Sequence, residues 1–154
     1  MPKKRYFSLE EANALLPKIA QRMQKVLQLH SLLRSVAEQL SDAHVPVTPG
    51  LLSNAETVDC PETAAPLLAH AQALYACIRM ELEAIHAMGV QVKDVEKGLV
   101  DFRSLRDGVD DVLLCWHMGE RKITHYHDLD KGFAARKPLA GHLFVNEPRS
   151  VQRV

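Results

Sequence analysis

Two histidines two residues apart, His125 and His127, carry the sharpest chemical signal in the chain. They fall in an alternating stretch, residues 122–128, so a strand there would place both imidazoles on one face. Two rings so spaced can converge on one metal ion. Glu120, Asp128 and Asp130 are close enough in sequence to complete a ligand set, and the expected metal ligands are His127, Glu120 and His125. A divalent metal that activates water beside a carboxylate suits hydrolysis. The competing reading is structural. A buried imidazole needs both ring nitrogens satisfied, so the rings can equally bond carboxylates and hold the fold. On either reading His127 should meet an ion or an acid, with Glu120, Asp101, Asp94 and Glu11 as candidates.

Other reactive residues carry less. Glu83 and His86 have the Glu-x-x-His spacing of di-iron carboxylate bundles. Those bundles need a second such pair and two further glutamates, so a solvated helix end is the expectation here. Cys115 beside Trp116 and Cys77 within a helical stretch read as small core residues rather than nucleophiles. The basic start, Lys3-Lys4-Arg5, reads as a solvated terminus. Phosphate-binding loops, nucleophile elbows and zinc-finger spacings do not occur in the sequence.

The elements that would position these residues follow from periodicity. Ser8-Leu9-Glu10-Glu11, with Phe7 before it, is a capping box that opens a helix. Pro17 predicts a kink or short break. Ile19, Met23, Val26, Leu29, Leu33, Val36 and Leu40 then recur at helical steps. Residues 41–65 are broken by Pro46, Pro49, Gly50 and Pro61 and read as a long loop with room for a helical turn. Leu67, Ala71, Leu74, Ile78, Leu82 and Ile85 form a second stripe, closed by Gly89. After Gly89 the period becomes two. Turns are expected at Glu96-Lys97-Gly98 and Asp107-Gly108, and at residues 118–121 between two hairpin strands. If Gly119-Glu120 is a two-residue turn, Leu114 faces His125, Val112 faces His127 and Trp116 faces Ile123. Both histidines would then lie on the apolar face. The expected fold is α+β: an antiparallel pair of long helices over residues 9–88, then a small antiparallel sheet over residues 90–128. Residues 129–154 are expected to be irregular, and residues 1–154 to form one domain.

Composition narrows the function classes. Of 154 residues, 19 are Lys or Arg and 19 are Asp or Glu, for a net charge of zero. A nucleic-acid protein usually carries a basic excess, so nucleic acid is not an expected partner. The chain has neither a long apolar run nor an apolar stretch after its basic start, so a membrane span and a signal peptide are not expected. Three cysteines without paired spacing fit reduced thiols in a cytoplasmic protein.

Several stretches together resemble a bacterial family designated domain of unknown function two-two-zero-three. They are Tyr6-Phe7-Ser8-Leu9-Glu10-Glu11-Ala12-Asn13, Gly89-Val90-Gln91-Val92-Lys93-Asp94 and Gly98-Leu99-Val100-Asp101-Phe102. Leu114-Cys115-Trp116, Gly119-Glu120, Tyr126-His127 and Gly132-Phe133 to Arg136 continue the pattern. The resemblance marks Glu11, Asp94, Asp101, Glu120, His127 and Arg136 as the family's polar positions. At residue 125 an aromatic is common in the family, which makes His127 the stronger ligand candidate. The resemblance implies no reaction. Two functional expectations therefore stand side by side. One is a non-catalytic, self-associating interaction protein, because Leu15, Leu16, Leu27 and Leu32 exceed what a single helical stripe needs; a homodimer is expected. The other is a metal-binding protein or metal-dependent hydrolase with its site at the hairpin.

Overall fold

The computed structural model describes residues 4–150; Met1 to Lys3 of the basic start and the last four residues lie outside it. The elements, in chain order, are α1 (Leu9–Asp42), α2 (Pro49–Leu52) and α3 (Ala65–Ala87), then β1 (Gln91–Asp94), β2 (Leu99–Arg106), β3 (Asp110–His117), β4 (His125–Asp128), β5 (Lys137–Pro138) and β6 (Phe144–Val145). Helices followed by an antiparallel sheet make this an α+β protein. The sheet runs β1-β2-β3-β4-β5, and β6 pairs with β2. Among the described residues no helix is long and apolar enough to cross a membrane.

The chain divides into two compact units, Met1–Met23 with Ile85–Val154, and Gln24–Ala84. In the second unit Val36, Leu40, Val45, Leu51, Ala71 and Leu74 form a core. Lys25 of α1 meets Glu81 of α3 there at 3.0 Å. The long loop carries its helical turn as α2, where the Thr48 hydroxyl accepts from Leu51 N at 3.1 Å and Pro49 occupies the first turn.

The first unit is built around the sheet. The capping box forms as read: Glu11 N donates to Ser8 Oγ and Ser8 N to Glu11 Oε1, each at 3.1 Å. Phe7, Ala12, Leu16, Ile19 and Met23 join Val100, Phe102, Val112, Leu114, Trp116 and Tyr126 in one core. Pro17 does not break α1, which runs through it. Pro17 is exposed while Leu16 and Ile19 are buried beside it, so core packing outweighs the backbone bond it forfeits. Gly89 ends α3 in the left-handed region (φ 85°), and Asp107 and Gly108 turn β2 into β3 with φ of 56° and 73°.

Two further expectations need correction. Residues 129–154 are not wholly irregular: β5 extends the sheet beyond β4, and Phe144 of β6 is buried in the core. His142, in that stretch, bonds Asp107 through Nδ1 at 2.7 Å. The hairpin register also differs by one residue. Leu113 pairs with His127, Leu114 with Tyr126 and Cys115 with His125. Residues 118–124 do not close as a two-residue turn because they are bonded elsewhere. Met118 N donates to Gly98 O, Trp116 Nε1 to Glu120 O, and Ile123 N to Asn13 Oδ1. A one-residue shift exchanges the two faces of a strand. Tyr126 therefore takes the core face, and His125 and His127 lie on the opposite one.

Candidate functional site

That opposite face carries Asp101 on β2, Cys115 on β3 and His127 on β4. Asp101 and Cys115 are directly opposed across their strands, and His127 is diagonal to Cys115. All three are almost completely buried, at 1%, 1% and 2% exposure. An Asp101 carboxylate oxygen, Cys115 Sγ and a His127 ring nitrogen all lie within 4.8 Å of one another. The three side chains meet at a cavity of about 130 Å³ whose lining also includes Lys93, Lys131 and Phe133. The turn Phe133–Ala135 contributes the Phe133 ring, 5.9 Å from that of His117 and 4.3 Å from the Arg136 guanidinium.

Both nitrogens of His127 face acceptors. Nε2 is 3.1 Å from Asp101 Oδ2, and Nδ1 is 2.9 Å from the Asp128 carbonyl oxygen. A neutral imidazole has one N–H, so donation to both requires the imidazolium. The pKa of His127 is accordingly raised to about 10. The bond to Asp101 is the chief cause, contact with Cys115 and the Asp128 carbonyl adds to it, and burial opposes it. With His127 protonated, the two side chains form a buried ion pair.

The same three groups fit a borderline-soft divalent cation. Metal bonds of roughly 2.0–2.3 Å to N, O and S in a tetrahedron put ligand atoms about 3.5 Å apart; the His127–Asp101 pair at 3.1 Å is near that spacing, and all three atoms lie within 4.8 Å of one another. A cation replacing the Nε2 proton would leave Nδ1–H donating to the Asp128 carbonyl, the outer contact that orients histidine ligands. Carboxylate and thiolate together would balance its charge.

The remaining expected residues go elsewhere. Glu120 caps the loop, with Oε1 accepting from His117 N at 2.7 Å, and it pairs with Arg136 at 3.5 Å. It does not join His127. His125 bonds Thr124 Oγ1 through Nδ1 at 2.8 Å. The expected trio of His127, Glu120 and His125 is therefore not assembled; only His127 lies in the cluster. Glu11 serves the helix start, where the Ser8 backbone bond holds its carboxyl below the usual range. Asp94 Oδ1 accepts from Lys97 N in the β1–β2 turn. Glu83 is exposed and pairs with Arg79, and His86 is exposed, as a solvated helix end requires. The residue that sequence reasoning set aside is Cys115. Its signal was its place between Leu113 and His117 on an alternating strand, legible only once the register is known.

A family model described as Uncharacterized conserved protein (DUF2203) matches residues 5–139. No curated protein and no solved structure matches the chain.

Proposed function

The chain belongs to the uncharacterized conserved protein family DUF2203, and from that premise we propose that it is a metal-binding protein holding one thiophilic divalent cation at Asp101, Cys115 and His127. The observation that carries this reading is the convergence of three ligand atoms of suitable chemistry within 4.8 Å, from three neighbouring strands, at a cavity. Each of the three residues also falls in one of the stretches that resemble the family. Three protein ligands leave a fourth position for water, which favours metal-assisted hydrolysis over a closed structural site. The test is elemental analysis and zinc titration of tag-free protein. About one zinc per chain is expected, lost in Cys115→Ser and in His127→Ala. Equal metal content in the wild type and both variants would overturn the reading and leave the Asp101–His127 pair a structural one.

Self-association through the helices is the second reading. In the unit Gln24–Ala84 the Lys25–Glu81 contact and the shared core of Val36 and Leu40 with Ala71 and Leu74 support an antiparallel pair. Leu16 is buried, and Leu15 and Leu27 are half-buried, so the surplus on α1 reduces to Leu32 at 53% exposure; Met80 on α3 is 68% exposed. These two side chains support a homodimer, and light scattering that gives a monomer mass at high micromolar concentration would end that reading. The free thiols of Cys60, Cys77 and Cys115 support a cytoplasmic location.

A further inference from the structure

We infer that the cavity beside Asp101, Cys115 and His127 receives the oxyanion head group of a small molecule, one oxygen taking the fourth metal position and the remaining charge facing Lys93 and Lys131. This rests on the metal-site reading above.

The charge arrangement argues for an anion. Among the described residues Asp101 is the only carboxylate in the cavity's lining, and Lys93 and Lys131 are its only lysines. A divalent cation would be balanced by the Asp101 carboxylate and a Cys115 thiolate, with His127 neutral. The two lysines then leave the opening positive, which concentrates anions there. Each lysine has a fixed base. Lys93 belongs to β1, next to the Asp94-capped turn, and the Lys131 backbone N–H donates to the Asp128 carbonyl at 3.0 Å. The same Asp128 carbonyl accepts from His127 Nδ1, so one oxygen anchors both the ligand ring and the backbone at one of the lysines.

Size sets the class of ligand. A cavity of about 130 Å³ is well below the roughly 300–1,000 Å³ of pockets that enclose drug-sized ligands, so it suits a phosphate or carboxylate head group rather than a whole larger molecule. Phe133, 39% exposed, forms an apolar side of the cavity, so a short apolar remainder fits beside the head group.

Cobalt(II) is a suitable probe, because its visible spectrum reports on the ligands it holds. The full chain would be loaded with cobalt and titrated separately with inorganic phosphate and with acetate. A saturable spectral change with at least one of them is expected, and the tighter of the two identifies a phosphate or a carboxylate as the recognised head. The double variant Lys93→Ala/Lys131→Ala changes only exposed side chains. It should bind cobalt at least as tightly as the wild type and bind the anion about tenfold more weakly. Cobalt binding with no response to either anion would overturn this inference and leave the metal site standing. So would a double variant that binds the anion as tightly as the wild type. Failure to bind cobalt at all would overturn both.

Discussion

The His127 ring on β4 meets the Asp101 carboxylate on β2 at 3.1 Å, reaching across the strand between them, β3. Cys115 lies on that middle strand, so the pair brackets a thiol. Breaking a buried ion pair by removing one partner costs about 3–5 kcal/mol, because the other charge is left uncompensated. His127→Ala should therefore lower the stability of the metal-free protein by about that much in urea unfolding. Trp116, the sole tryptophan and buried, supplies the fluorescence signal. The double variant Asp101→Ala/His127→Ala should lose less than the sum of the single changes.

The raised pKa of His127 gives the metal-free protein a defined pH response. A folded-state pKa of about 10 against an ordinary value of 6.5 means the folded state holds the proton more tightly. The resulting stability is fully present below about 6.5 and falls as pH rises through about 10. Urea midpoints measured across that range should decline in the wild type. In His127→Ala this part of the decline should vanish.

Metal binding should compete with that proton. A cation on Nε2 displaces the hydrogen now shared with Asp101, so zinc uptake near neutral pH should release protons and zinc affinity should rise with pH. Proton release in weakly buffered solution, followed with an indicator dye, checks this. Zinc bound with no proton release would place the ion away from His127.

The helix start offers an independent check on the fold. Ser8→Ala removes the Oγ acceptor from Glu11 N and should cost about 1 kcal/mol. The Glu11 carboxyl is held below its usual range chiefly by the Ser8 backbone N–H. Its contribution is present above the usual carboxylate pKa and is lost as pH falls through the lowered value. Glu11→Ala should therefore flatten the acid side of the stability profile, as measured by thermal unfolding between neutral and acidic pH.

Much of the architecture was legible because local signals agreed with one another. Ser8 and Glu11 marked the start of α1, Gly89 the end of α3, and Asp107-Gly108 the turn from β2 to β3. The hairpin register was hidden because long-range bonds set it. Asn13, 110 residues away, accepts from Ile123 N, and Gly98 accepts from Met118 N. Those bonds lengthen the β3–β4 connection and turn His127 from the apolar core toward Asp101 and Cys115. The composition of the site was obscured for the same reason: in the expected register Cys115 fell on the face opposite His127, so only Glu120 and His125 stood as its fellow ligands. Phe144 escaped notice because a two-residue strand leaves no periodic signal.

The first residues described join the sheet late in sequence terms. Phe7 N donates to the Arg103 carbonyl at 2.7 Å, and the Ser104 hydroxyl donates to the Phe7 carbonyl at 2.6 Å, a span of 97 residues. During synthesis Phe7 leaves the ribosome long before its partners exist. At about 5–20 residues per second, the delay is roughly 5–20 s. The buried apolar residues at the start of α1, Ala12, Leu16 and Ile19, must spend that interval without the strands that cover them. The nascent chain is therefore most open to chaperone capture before β2 and β3 emerge, and a ribosome-bound chain arrested before residue 99 should be more protease-sensitive at its start than one arrested well beyond residue 128.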